Sequence, residues 1–310
     1  GAVRADIPDW CEPLFERAFG EAWVEEGAAL ATRPPLDIRV NTLQADRAKV
    51  LKELADTGAQ PARIAPLGIR IPPIDGDGRH PNVQSEPAFQ KGWFEVQDEG
   101  SQIAATLAGA EAGMQVLDFC AGAGGKTLAL SAAMDNRGQI FAHDAEKARL
   151  APIFDRIRRS ENRNVQVVTK PAELSPLANH MDIVLVDAPC TGSGTWRRRP
   201  DAKWRLTQRQ LDARKGEQSA ILDAAKLYVK PGGLLVYITC SVFDEENGEQ
   251  IAAFRERHKG FAPVDHRVLW DSRFLGHGAA ARIGAGGDIS LSPALSGTDG
   301  FYFCAMRRTN

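Results

Sequence analysis

The sequence predicts an α/β protein built on a doubly wound, mainly parallel sheet. Three observations carry this. From Val96 onward, short apolar runs alternate with segments of helical periodicity, the pattern of repeated βαβ units. Runs such as Val184-Leu185-Val186 and Leu234-Leu235-Val236 are continuous rather than alternating, as in strands buried on both faces. A run from Met114 to Phe119 enters a glycine-rich turn that opens a helix, a feature of nucleotide-binding α/β sheets.

The elements follow in order. Residues 6–32 read as helical, with Leu14, Phe15, Phe19 and Trp23 as apolar positions and Pro34-Pro35 as the stop. A short strand, Ile38 to Val40, precedes a helix from about Asp46 to Thr57, capped by Asp46 and closed by Gly58. Ile69 to Ile71 reads as a strand and Pro72 to Pro87 as a loop. A domain boundary is expected near Gly92. Beyond it come a helix from about Asp98 to Leu107, the strand 114–119, a helix to about Met134 and a strand 139–142. A helix 146–161, a strand 165–168 and the strand leading to Cys190 follow. A helix from about Glu217 to Val229 then turns through Pro231-Gly232-Gly233 into the strand leading to Cys240. A helix 246–258, a polar stretch 271–290 and a last strand 300–306 complete the chain.

At 310 residues the chain has room for one large domain or two ordinary ones. Its 43% hydrophobic and 25% charged content is that of a soluble globular protein. No apolar run approaches the roughly 18 residues of a bilayer span. The start, Gly1-Ala2-Val3-Arg4, has neither an initiator Met nor the apolar core of a signal peptide, as expected where a chain begins inside a longer protein. Five widely spaced cysteines match no zinc pattern. They read as free thiols in a reducing, cytoplasmic compartment, with no metal expected. Net charge is -2, so a nucleic-acid partner must be argued from local clustering.

The turn Cys120-Ala121-Gly122-Ala123-Gly124-Gly125-Lys126-Thr127 is not a Walker loop, because only two residues separate Gly122 from Gly125-Lys126. It misses the dinucleotide fingerprint because Thr127 stands at the third glycine position. The next strand delivers Asp144, placed to accept both hydroxyls of an adenosine ribose. A nucleoside cofactor without a long phosphate tail suits both features, and S-adenosylmethionine fits. A tight turn with a surface Asp is the plainer alternative.

Cys190 and Cys240 end two strands of one sheet. Carbon 5 of a pyrimidine is a poor nucleophile until a thiolate adds at carbon 6 and makes it enamine-like. One thiol can form that adduct and another group can assist its breakdown. Asp187, three residues before Cys190, is placed to hydrogen-bond the amino or ring-nitrogen edge of cytosine. Either cysteine alone is equally compatible with burial as a small apolar residue. Downstream, residues 197–215 hold eight basic and two acidic residues, a local excess that suits phosphate, while Trp196 and Trp204 suit base stacking or loop packing.

These motifs make the chain similar to the RNA cytosine-5 methyltransferases of the RsmB/NOP/NSUN type. The resemblance runs over about residues 36–310. It is carried by Arg39-Val40-Asn41-Thr42-Leu43, Val96-Gln97-Asp98-Glu99-Gly100-Ser101-Gln102, Asp118 to Thr127, Val186 to Gly194, Thr239-Cys240-Ser241 with Glu245-Glu246-Asn247, and Asp299-Gly300-Phe301-Tyr302. It implies a Rossmann-like class I methyltransferase fold with a mixed, mainly parallel seven-stranded sheet. A small α+β, ferredoxin-like RNA-binding domain at 36–91 would precede the catalytic domain at 92–310, after a helical lead at 1–35. It implies Cys240 as the nucleophile, Cys190 as the aid to release, and Asp187 and Lys126 beside them. The cofactor set would be Cys120, Ala121, Gly122, Ala123, Gly124, Gly125, Lys126, Asp144, Arg149 and Asp187, with S-adenosyl-L-methionine as cofactor. Candidate RNA contacts are Arg39, Asn41, Arg197, Arg198, Arg199, Lys203, Trp204 and Arg205. The expected partner is RNA, ribosomal ahead of transfer RNA, with no membrane, no metal and a monomeric chain. An inactive RNA-binding assembly factor is the alternative from another class. Two departures stand out: Ala123 replaces the family's usual Pro in the turn, and Thr169 to Glu173 lacks the Asp that many relatives place near adenine.

Overall fold

A computed structural model describes the whole chain, Gly1–Asn310. Its strands, in chain order, are β1 Leu36–Val40, β2 Gln60–Pro61, β3 Gly68–Ile71, β4 Phe94–Val96, β5 Gln115–Asp118, β6 Gln139–His143, β7 Val165–Val168, β8 Met181–Asp187, β9 Val229–Thr239, β10 Phe261–Pro263, β11 Arg282–Gly284, β12 Asp288–Leu291 and β13 Phe301–Arg308. They form a four-stranded sheet, β2-β3-β1-β4, and a nine-stranded sheet, β11-β12-β13-β9-β8-β5-β6-β7, with β10 on β13.

The expected seven strands are therefore nine, and the sheet is less parallel than expected. β5 pairs parallel with β6 and β8, and β6 with β7. β13 runs antiparallel to β9, β12 and β10, and β11 antiparallel to β12. The hairpin of β11 and β12 lies within the stretch that reads as polar and irregular, because these strands are only three and four residues long.

The chain divides into two compact units. The first comprises Gly1–Arg33, Val186–Leu227 and Pro231–Asn310. Its core gathers Ile7, Cys11, Phe15, Trp196, Leu211 and Phe243, with the Phe15 and Trp196 rings stacked 5.8 Å apart. The leading helical segment is thus part of a packed core. Its helix Trp23–Ala29 lies so close to the first turn that a Cβ on Gly27 would meet the Ala5 Cβ at 2.7 Å. The long helix Gln208–Ala225 starts nine residues before the expected Glu217. Its first half is polar and mostly exposed, so apolar periodicity does not reveal it. A capping box between Thr207 and Gln210 sets its true start.

The second unit comprises Pro34–Leu185 and Tyr228–Lys230. One cluster, including Ile38, Val40, Val50, Ile69, Phe89 and Phe94, fills the space under the four-stranded sheet. Asp46 caps the helix Arg47–Glu53 through Lys49 N at 2.8 Å, and Asp98 caps Glu99–Ala108 through Gly100 N at 2.7 Å. The helix expected over 146–161 is two short ones, Lys147–Leu150 and Ile153–Ser160. Pro152 separates them, since it lacks the N–H that a continuous helix needs. No helix is long and apolar enough to cross a membrane, and no cluster of three or more His, Cys, Asp or Glu side chains is placed to hold a metal ion.

Candidate active site

In the first unit the two thiol loops meet. The Cys190 and Cys240 sulfurs lie 3.4 Å apart, in hydrogen-bonding contact, and both residues are partly exposed. Backbone bonds align the loops: Ala188 N donates to the Ile238 carbonyl at 2.9 Å, and Gly194 N to the Cys240 carbonyl at 2.9 Å. Gly300 N then donates to the Gly194 carbonyl at 2.8 Å. A Cβ on Gly194 would sit 2.3 Å from the Gly300 oxygen, so only glycine permits this approach.

Buried polar side chains complete the frame. Ser193 and Ser241 hydroxyls are 3.0 Å apart, and Val242 N donates to Ser193 Oγ at 2.9 Å. Asn247 Nδ2 donates to the Ser241 carbonyl at 2.9 Å, and its Oδ1 accepts from Thr239 Oγ1 at 2.5 Å. Glu246 accepts from Thr191, Ser241 and Gln218. Sequence reasoning gave these residues no role. The signal available was an acid-acid-amide triplet, Glu245-Glu246-Asn247, just past a thiol strand.

The hydrogen bond to Cys240 and burial, with the charges of Cys240 and Glu246, push the Cys190 thiol well above the ordinary range. These surroundings favour the protonated form of Cys190, and in the contact between the two sulfurs either one can donate. Cys11, by contrast, is pushed up to about 12 by burial alone, and burial, foremost, raises Cys304 as well. Neither is a reactive thiol, because the thiolate is the nucleophile. Asp187 ends β8, half-buried.

In the second unit, β5 leads through Cys120 into the glycine turn and the helix Gly125–Ala133. Gly122 and Gly124 take φ of 52° and 91°, and a Cβ on Gly124 would meet Ile153 Cγ1 at 2.5 Å. Thr127 Oγ1 donates to Asp118 at 2.6 Å, and Arg156 donates to the Ala123 carbonyl at 2.9 Å. Lys126 is buried at the second helical position. Asp144 accepts from Gly122 N at 3.0 Å on one oxygen and from Glu146 N at 2.9 Å on the other. Arg149 lies 3.6 Å away. A carboxylate has about four acceptor positions, so two backbone bonds leave capacity for the two hydroxyls of a ribose. The remaining acceptor positions of Asp144 fit the hydroxyls of a nucleoside cofactor.

The expected RNA contacts divide. Arg199, Trp204 and Arg205 are exposed, with Arg205 in an ion pair to Asp201 at 2.7 Å. Arg197 turns inward onto Asp299 at 2.6 Å, with Arg198 on the other carboxylate oxygen at 2.5 Å. Lys203 is buried against Asp6. Trp196 is fully buried in the core. In the second unit Arg39 is buried and donates to Gln97 at 2.8 Å, while buried Asn41 donates to the Gly92 and Ser160 carbonyls at 2.8 and 3.0 Å. Arg39, Asn41, Arg197 and Lys203, named as candidate RNA contacts, thus make buried contacts within the fold. Charge pattern along a sequence does not reveal the buried carboxylate or carbonyl that claims a cation.

Comparison with known proteins places the chain in a family and supports its fold. Residues 104–307 match the family model described as 16S rRNA methyltransferase RsmB/F. The chain belongs to that family. Residues 7–73 match a second model, the ferredoxin-like domain of RsmF/B-like methyltransferases. A probable ribosomal RNA small subunit methyltransferase B of Synechocystis sp. is 30% identical over 97% of this chain and 67% of its own length. The ribosomal RNA small subunit methyltransferase B of Erwinia tasmaniensis is 32% identical over 96% of this chain and 66% of its own. The chain thus spans about two thirds of these relatives. A methyltransferase homologue from Pyrococcus horikoshii superposes with a TM-score of 0.79 at 26% identity, covering 99% of this chain and 97% of the other. NSun6 from the same organism reaches 0.80 at 22% identity, over 98% of each chain, and shares the fold.

Proposed function

We propose that this RsmB/F-family chain methylates carbon 5 of cytosine in small-subunit ribosomal RNA, using S-adenosylmethionine. The observation that carries the reading is the pair of sulfurs 3.4 Å apart at the ends of two strand loops. Cys240 adds to carbon 6, which turns carbon 5 into an enamine-like nucleophile. The proton-bearing Cys190 steadies the Cys240 thiolate before attack and returns a proton to that sulfur as the carbon–sulfur bond breaks. Having given up its own proton, Cys190 takes the carbon 5 proton released in the same elimination and ends the step as a thiol. Bound cofactor supplies a sulfonium methyl group. Residues 120–126, Asp144 and Arg149 are the candidates to hold it, and Asp187 is kept for the amino and ring-nitrogen edge of cytosine. The base must leave its stack to reach a thiol.

In this reading residues 36–91 are the RNA-binding module and 92–310 the catalytic domain. Arg199, Trp204 and Arg205 lie on the RNA side, and the free thiols suit a cytoplasmic enzyme. Protein incubated with labelled cofactor and ribosomal RNA is expected to place label on carbon 5 of cytosine. Cys190→Ala is expected to leave a protein–RNA adduct that survives denaturation, and Cys240→Ala none. No label on any cytosine overturns the reading, and a reversed adduct pattern overturns the division of roles.

A further inference from the structure

We infer that Glu246 is the positioning residue of the dithiol, a single buried carboxylate that grips the residue after each cysteine. The inference rests on the reading that Cys190 and Cys240 are the reacting pair. Glu246 is fully buried. Its Oε1 accepts from Thr191 N at 2.8 Å and from Gln218 Nε2 at 3.0 Å. Its Oε2 accepts from Thr191 Oγ1 at 2.6 Å and from Ser241 Oγ. Thr191 follows Cys190 and Ser241 follows Cys240. Four donors converge on two oxygens, the pattern of an acceptor-only carboxylate.

The grip extends to both sides of Cys190, because Gln218 Nε2 also donates to the Pro189 carbonyl at 2.9 Å. Glu246 is itself anchored where Tyr237 Oη donates to its backbone carbonyl at 2.6 Å. Loops beyond strand ends are the mobile parts of a sheet protein, yet two sulfurs must stay in register while a base adds and leaves. A misplacement of 1 Å can cost roughly 100-fold in rate. The negative charge of Glu246 adds to what the sulfur–sulfur hydrogen bond and burial do in holding the proton on Cys190. Glu246 touches no reacting atom, so it acts through the thiol loops.

Glu246→Gln separates charge from shape. The amide has the same volume, and the Thr191 and Ser241 hydroxyls can rotate to accept from it. Two measurements follow. In the full chain without RNA, iodoacetamide modification of Cys190 is followed against pH by peptide mass spectrometry. The rise of Cys190 modification is expected to move to lower pH in E246Q, because a charge that raised its pKa is gone. In steady-state methylation, kcat is expected to fall roughly 10- to 100-fold, with KM for RNA and cofactor held within about twofold, the signature of lost transition-state alignment. An unchanged Cys190 profile together with unchanged kcat overturns the inference, as does a loss seen only in KM. The alkylation arm needs no RNA turnover. A wild-type protein that fails to methylate RNA while E246Q still shifts the Cys190 profile therefore refutes the proposed function and supports the grip. Should E246Q not fold, Thr191→Val removes one hydroxyl donor and keeps the backbone bond. A lower kcat at unchanged KM then supports the inference, and an unchanged kcat overturns it.

Discussion

The thiol loops and the glycine turn both lie beyond strand ends, yet they are held in different ways. Around Cys190 and Cys240 the positions are set by a network of buried side chains, Ser193, Ser241, Glu246, Asn247 and Gln218. Around Gly122 and Gly124 they are set chiefly by the backbone: two positive φ angles, a missing Cβ, and the Gly122 N–H donated to Asp144. A covalent step needs two sulfurs placed side by side, and side chains can tune that spacing. A turn that meets a cofactor through N–H groups needs the side chains out of the way. The first region is expected to fail through its polar network and the second through any added carbon.

The sharpest way to break this comparison is to attack an ion pair that supports the thiol region from behind. Arg197 and Asp299 are 4% and 3% exposed at the side chain, and removing one partner leaves a buried charge. Arg197→Gln is expected to cost about 3 kcal/mol in denaturant unfolding, near the lower end for such pairs because Arg198 still reaches Asp299. Next come two glycines. Gly194→Ala and Gly124→Ala each place a Cβ within 2.5 Å of a neighbour, and each is expected to cost about 1–3 kcal/mol by calorimetry. Calorimetric titration of cofactor should separate them, with affinity lost in Gly124→Ala and retained in Gly194→Ala. Equal affinity losses would erase the distinction between the regions. The smallest effect concerns the surface. Arg199→Gln and Arg205→Gln are expected to leave unfolding unchanged and to lower the salt slope of RNA binding by about one each, whereas Arg197→Gln acts through stability.

Much of this was legible. β8 and the second half of β9 announce themselves as continuous apolar runs, and a thiol lies just beyond the end of each, although β9 begins at Val229 and takes in the Pro231-Gly232-Gly233 stretch that reads as a turn. Asp46 and Asp98 cap the helices that follow them, because a cap is local chemistry. What escaped was short or paired at a distance. β4 has three residues and gains its identity from pairing with β1. β11 and β12 become strands only by joining each other and β13. The basic run 197–215 reads as a local excess suited to phosphate, but Asp299 and Asp6, far away in sequence, claim Arg197 and Lys203.

The order of the amino acids alone determined the βα alternation, the glycine turn with its acid, and the delivery of two cysteines to strand ends, since each depends on neighbours within a few residues. Only the folded chain decided that the two sulfurs touch, that Glu246 grips both loops, and which arginines face water. Those outcomes depend on groups far apart along the chain, such as Arg197 and Asp299 at 102 positions, where burial and the need to satisfy every buried charge override local pattern.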